Sequence, residues 1–200
     1  MAAPGATRLD LGPALLERAV GYTRGCLALV RPDLLDAPTP CTDWDLRTLL
    51  RHLDDSLAAF TEAGSVGAVA PSPPVEPPPL VGPVETRDVV ATSTRASALL
   101  AAWTDPPYPA VEVAGHLVGT DLLAGAGALE VAVHGWDVSV ACGAPRPLPA
   151  LVALDLLDLV PLLVGPADRP LRFAPPVAVR RSAAPSARLL AALGRVSPGT

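Results

Sequence analysis

Two side chains that commonly bind metal ions lie four residues apart in the stretch LEVAVHGWDVSVACG. They are Glu130 and His134, and on a helix this spacing places both on one face, one turn apart, where they can reach a single ion. Most of the surrounding residues are apolar, which predicts a helix enclosed on nearly all sides. A buried ionised carboxylate is costly unless it is paired or bound to metal, and no Arg or Lys lies within this stretch. The pattern favours a pair of metal ligands over the alternative, an ion pair on a solvated helix face.

A third candidate ligand lies earlier in the chain, at the end of the stretch PTPCTDWDLRTLLRHL. His52 adjoins the apolar stripe of a predicted helix that contains Leu49, Leu50 and Leu53. If this helix packs in the same bundle, His52 completes a set of two imidazoles and one carboxylate. Such a set leaves coordination positions open, which is typical of a reactive site more than of a purely structural one.

Two further polar residues lie close to these ligands in the sequence. Asp137 follows His134 by three residues, so it can accept a hydrogen bond from the ligand imidazole, or else it can hold an Arg or a neighbouring helix end. His116 precedes the same helix and could be a fourth ligand or a general base. A lone His beside apolar residues more often packs locally, and we favour that interpretation for His116.

Cys41 and two tryptophans are predicted to be structural. Cys41 precedes His52 by eleven residues, and if the intervening stretch is mainly helical the rise of about 1.5 Å per residue separates them by roughly 15 Å. Trp44 and Trp136 both lie in apolar helical patterns, so we expect them to anchor the core.

The composition excludes several classes of partner. With 15 Lys+Arg against 20 Asp+Glu and a net charge of -5, the chain carries no basic patch suited to nucleic acid. The most apolar late stretch, residues 148–164, is interrupted by charged residues and a proline, which argues against a membrane span. Three cysteines without a CxxC motif, and an N-terminus without a signal-peptide pattern, predict a cytoplasmic protein with free thiols.

The elements that must position these residues are predominantly helical. Apolar periodicity, capping residues and prolines predict helices over residues 13–30, 44–63, 85–103, 121–141 and 148–163, and a last short helix before Gly194. Residues 65–83 are too rich in proline for a helix and should form an extended crossover, and an extended piece is expected over 111–118. We expect one all-α domain, with the metal-binding bundle in residues 1–143 and a short C-terminal extension, residues 144–200, packed on it.

Both stretches quoted above resemble the DinB-like bundle family, in particular the actinobacterial branch that contains mycothiol-dependent maleylpyruvate isomerases and short metal-binding relatives. PTPCTDWDLRTLLRHL is similar to the loop and second helix of that branch, and LEVAVHGWDVSVACG to its fourth helix with the pattern E-x-x-x-H-x-W-D. The tail, FAPPVAV followed by SARLLAALGR, resembles the short variant of the branch. Two separated motifs in the right order are far more specific than either alone.

The resemblance implies an up-and-down four-helix bundle that holds a divalent metal through a His on its second helix and an acid-plus-His pair on a later one. His52, Glu130 and His134 occupy the matching positions. Zinc is the default for these donors, with Ni, Mn, Co and Fe(II) also suited. The family further implies a low-molecular-weight thiol, mycothiol, as cofactor and a small electrophilic substrate for isomerisation or S-transfer. The true isomerase carries a further small domain, whereas only a short region follows Gly143 here, so maleylpyruvate isomerisation itself is not expected. A non-catalytic metal- or thiol-binding module and a plain structural bundle are the alternatives.

Overall fold

The computed structural model describes residues 12–41, 43–69, 86–170 and 172–196, with side chains for all of these except residues 86–90. The helices are α1 (Pro13–Leu27), α2 (Leu46–Val66), α3 (Thr86–Thr104), α4 (Thr120–Ala141), α5 (Ala150–Leu163) and α6 (Pro185–Ala192). Three short strands are β1 (Ala68–Val69), β2 (Ala110–Val113) and β3 (His116–Gly119). The predicted, mainly helical fold is confirmed, with some helix ends displaced by two or three residues.

The ends of α2 follow from local chemistry. Asp45 caps its start, because one carboxylate oxygen accepts a hydrogen bond of 2.7 Å from the backbone amide of Thr48. Gly67 ends it in the left-handed region, at φ 76°, where glycine is favoured. The helix therefore begins two residues after Trp44, and residues 43–45 form part of the preceding loop.

The first four helices form the bundle, with α1 against α4 and α2 against both α3 and α4. Helix α4 is buried on nearly all sides, as its apolar sequence predicts, and Trp136 is buried within it. Helix α5 packs on α4 and α1, and α6 packs on α5. Among the described residues, no helix is both long and apolar enough to cross a bilayer.

The predicted extended piece is a hairpin. β2 and β3 pair antiparallel with Val111 opposite Val118, and the two residues between them, Ala114 and Gly115, have positive φ angles of 49° and 81°. β1 adds to the other edge of β2 in parallel, with Ala68 opposite Glu112. β1 lies at the start of the predicted crossover, whose residues 70–83 fall outside the described part of the chain.

Candidate metal centre

The three predicted ligands meet between α2 and α4. The Nε2 atom of His52 lies 2.7 Å from Oε1 of Glu130, and Nε2 of His134 lies 3.3 Å from the same oxygen. One donor atom from each residue lies within 4.8 Å of the other two. The two imidazole rings are 5.0 Å apart and almost perpendicular, at 85°. The structure thus brings together side chains that are separated by as many as 82 residues in the chain, from His52 to His134.

The backbone explains why these side chains converge. Glu130 and His134 share one face of α4, and His52 extends from α2, which packs directly on α4. Ser56, one turn after His52, donates a hydrogen bond of 2.9 Å to Oε1 of Glu130 and so fixes the carboxylate between the two rings.

The donor set fits a divalent ion. Two ligand atoms that each lie about 2.1 Å from one ion, at tetrahedral or octahedral angles, are about 3.0–3.4 Å apart. The Glu130–His134 separation of 3.3 Å lies in this range, and the Glu130–His52 separation of 2.7 Å needs to open by only a few tenths of an ångström. Nitrogen and oxygen donors of this kind suit zinc and its neighbours in the first transition row.

Without an ion, Glu130 and His134 form an ion pair. Burial acts to raise the pKa of Glu130, but the charge and hydrogen bonds of the two imidazoles outweigh it, so the pKa of this carboxyl group lies well below its ordinary value. Burial acts to lower the pKa of His134, but the charge of Glu130 and the hydrogen bonds of Asp137, Cys41 and Glu130 raise that pKa well above its ordinary value. The site therefore favours a positive charge beside the Glu130 carboxylate, which a proton on His134 or a metal ion can supply.

The opposite side of the His134 ring contacts Asp137. Nδ1 of His134 lies 3.0 Å from Oδ2 of Asp137, whose side chain is completely buried. Arg195 binds both oxygens of the same carboxylate, with Nε 2.8 Å from Oδ1 and Nη2 2.7 Å from Oδ2. Burial acts to raise the pKa of Asp137, but the charge and hydrogen bonds of Arg195, together with those of His134, lower it. Asp137 thus has both of the contacts considered from the sequence, one to a candidate ligand imidazole and one to an Arg.

Cys41, predicted to be structural from its separation from His52, lies beside another predicted ligand, His134. Its Sγ atom lies 3.8 Å from Nδ1 of His134 and donates to Oδ2 of Asp137 at 3.3 Å. The estimate of 15 Å assumed a helix from Cys41 onward, whereas residues 43–45 belong to the loop and helix α2 begins only at Leu46. The loop places the sulfur of Cys41 beside the His134 ring.

Trp44 packs against the core, as its predicted role requires, and it also contacts the candidate site. It lies in the loop before α2, is only partly buried, and has its ring 4.8 Å from that of His52 and 6.4 Å from that of His134. Trp44 therefore forms an aromatic wall of the site. Trp136 is a core anchor as predicted, and His116 is exposed on β3 and belongs to neither group of potential ligands.

Cys41, His134 and Asp137 form a second group with metal-ligand atoms close together. This group is a poor cation site, because the Arg195 guanidinium already binds both oxygens of Asp137 and places Nη2 3.6 Å from the sulfur of Cys41. A fixed positive charge at that distance repels a second cation. The arrangement favours the group formed by His52, Glu130 and His134.

Comparison with known proteins places the chain in a family. The family model described as the mycothiol maleylpyruvate isomerase N-terminal domain matches residues 16–139, which include all three candidate ligands. The chain belongs to this family. Two relatives are uncharacterised proteins of Mycobacterium tuberculosis, from strains CDC 1551 / Oshkosh and H37Rv, each 30% identical over 183 residues that cover 90% of this chain and 94% of the relative. No solved structure matches the chain.

Two residues of the site were not identified from the sequence. Ser56 had a usable signal, since it follows His52 by four residues and so shares its helix face. The spacing of Arg195 gave no such signal. Arg195 lies 58 residues after Asp137 and outside the segment that matches the mycothiol maleylpyruvate isomerase N-terminal domain. The only hint was chemical, since a carboxylate as deeply buried as Asp137 requires a cationic partner.

Proposed function

We propose that this protein binds one divalent metal ion through His52, Glu130 and His134. The observation that carries the proposal is the convergence of two imidazole nitrogens on one carboxylate oxygen, at 2.7 and 3.3 Å, between two packed helices. Zinc is the first choice, and Ni, Mn, Co and Fe(II) suit the same donors. Membership of the mycothiol maleylpyruvate isomerase N-terminal domain family supports the assignment, since the matched segment contains all three residues.

The surrounding residues prepare these donors. Ser56 holds the Glu130 carboxylate by its hydrogen bond to Oε1, which limits rotation of the ligand. Asp137 accepts a hydrogen bond from Nδ1 of His134, which leaves Nε2 as the nitrogen that can bind an ion beside Glu130. The ring of Trp44 lies 4.8 Å from that of His52 and 6.4 Å from that of His134, so it borders the site on one side.

We further propose that the site serves a thiol-dependent enzyme of the isomerase or S-transferase type, acting in the cytoplasm. Three protein ligands leave positions open, and a divalent ion bound there would hold a low-molecular-weight thiol such as mycothiol as its thiolate, ready to attack a small electrophile. The family description supports a mycothiol-related role. The free thiols of Cys26, Cys41 and Cys142 agree with a reducing compartment.

A binding module without turnover is the second candidate. The Asp137 carboxylate, which contacts Nδ1 of His134, is held by two hydrogen bonds from Arg195 and is therefore not free to act as a general base. The thiol or the ion would in that case be captured without chemical conversion.

Elemental analysis of protein purified without an affinity tag tests the metal proposal. We expect one divalent ion per chain, and His52→Ala, Glu130→Ala and His134→Ala should each lose it, with losses that do not add because the ligands act as a unit. His116→Ala is the matched control, since His116 is exposed on β3, and it should retain the ion. Loss of metal in His116→Ala with full retention in His52→Ala would show that the third ligand is misassigned. A folded, metal-free parent chain after gentle purification and zinc titration would leave only a structural bundle.

The thiol proposal is tested separately on the metal-loaded protein. Mycothiol and a panel of small electrophiles are added, and consumption of the electrophile is followed over many equivalents. Multiple turnovers that disappear in Glu130→Ala support the enzyme. Saturable thiol binding without turnover supports the binding module, and no thiol binding at all contradicts both thiol-dependent roles.

A further inference from the structure

The last described residues, which follow helix α6, lie next to the candidate metal centre. Helix α6 ends in a defined motif. After α6, Gly194 has a φ of 77°, its amide bonds to the carbonyl of Ala191, and the amide of Arg195 bonds to the carbonyl of Leu190 at 2.8 Å. These two hydrogen bonds and the left-handed glycine form a Schellman motif, which fixes the direction in which the chain leaves the helix. Arg169 adds a hydrogen bond of 2.7 Å to the carbonyl of Ala192. The backbone position of Arg195 is therefore set by local structure.

From this position the side chain of Arg195 reaches a carboxylate in the bundle. It is 10% exposed and binds the completely buried Asp137 through two parallel hydrogen bonds of 2.8 and 2.7 Å. A two-point contact fixes the plane of a carboxylate, whereas a single point charge does not. Oδ2, the oxygen that accepts from Nη2 of Arg195, is also the oxygen that contacts Nδ1 of His134 at 3.0 Å. The orientation of the His134 ring thus depends on a residue far away in the sequence.

We propose that Arg195 is a positioning residue of the metal centre, which acts by holding Asp137 so that Nε2 of His134 faces Glu130 and His52. The inference rests on the proposed metal-binding function and extends it to the C-terminal segment, beyond the matched residues 16–139. Partners of ligand histidines usually contribute about 10- to 100-fold to metal affinity. The C-terminal segment is consequently part of the site, although it supplies no ligand.

The test measures Co²⁺ binding to the 200-residue chain by absorption spectroscopy and titration calorimetry. Arg195→Gln should bind Co²⁺ about 10- to 100-fold more weakly than the parent. Arg195→Lys, which keeps the charge without the two-point geometry, should recover only part of the loss. Arg188→Gln is the matched control, because Arg188 is exposed on α6, and it should bind like the parent.

A second readout separates positioning from a general loss of packing. In the Co²⁺-loaded parent, the exchangeable Nδ1 proton of His134 should give a shifted NMR signal protected by its contact with Asp137, and Asp137→Asn identifies it by weakening that protection. Arg195→Gln should speed exchange of the same proton, while circular dichroism confirms that the chain is folded. If Arg195→Gln does not fold, Arg195→Lys carries the test.

The outcomes separate the two proposals. Parental affinity and slow exchange in folded Arg195→Gln, or in Arg195→Lys where the first does not fold, overturn the role of Arg195 and leave metal binding intact. A parent chain that binds no Co²⁺ overturns the proposed function and this inference with it. Weaker binding and faster exchange in the Arg195 variants, with a parental Arg188→Gln, support the proposal.

Discussion

The close approach of α1 and α4 sets the position of His134 and can be tested by adding one methyl group. A Cβ on Gly135 would lie 3.0 Å from Cβ and 3.1 Å from Cα of Thr23, and closer still to its hydroxyl oxygen. Thr23 cannot easily turn away, because its hydroxyl donates a hydrogen bond of 2.7 Å to the carbonyl of Val131. In Gly135→Ala the two helices must therefore separate, and His134, the preceding residue on α4, moves with them.

The expected loss of stability follows from three contributions. Overpacking of a buried contact costs about 1–3 kcal/mol, and loss of the Thr23 hydrogen bond costs about 1 kcal/mol. Replacing Gly by Ala within a helix adds about 1 kcal/mol to the stability of the fold. The net loss in the free energy of unfolding is then about 1–3 kcal/mol. Gly21→Ala is the matched control, because Gly21 is exposed on α1 with nothing within 4 Å of the added Cβ, and it should gain about 0.5–1 kcal/mol.

The assay is thermal unfolding followed by circular dichroism in the presence of a chelator. For a chain of this size each kcal/mol shifts the midpoint by about 2–4 °C, so Gly135→Ala should unfold about 2–12 °C below the parent. Gly21→Ala should unfold slightly above it. A Gly135→Ala protein as stable as Gly21→Ala would refute the reasoning, since the helices would then have room for the methyl group.

Three further predictions concern the site and the segment that delivers Arg195. Zinc affinity should fall when the pH is lowered from 8 to 6. The pKa of His134 is raised above the ordinary histidine value near 6.5, so a proton competes with zinc for this imidazole already at these pH values. Calorimetry that gives equal affinity at both pH values contradicts this. Ser56→Ala should weaken zinc binding about 10-fold by freeing the Glu130 carboxylate, whereas Ser97→Ala, on the exposed face of α3, should not change it. In urea unfolding, Gly194→Ala should destabilise the fold by more than Gly115→Ala. Both glycines have positive φ angles, but only a methyl group on Gly194 would collide with Ala174, at 2.5 Å from the Ala174 carbonyl oxygen. Equal losses of stability would argue against the tight turn at Gly194.

The sequence by itself determined the helical fold and the core of the candidate site. Apolar periodicity and capping residues act locally, so they marked the helices to within a few residues. The spacing of Glu130 and His134 sufficed to place them on one helix face, and the apolar surroundings marked α4 as central. His52 could be added because it adjoins the apolar stripe of a helix that had to pack in the same core.

Only the tertiary structure decided what surrounds these ligands. Cys41 and Trp44 lie in a loop without periodicity, so the sequence did not predict that both contact the candidate ligands. Arg195 reaches Asp137 across 58 residues, and that contact depends on how α5 and α6 fold back onto the bundle. Local patterns fix backbone conformation because their interactions span a few residues, whereas these contacts depend on how distant segments pack, which no spacing in the sequence encodes.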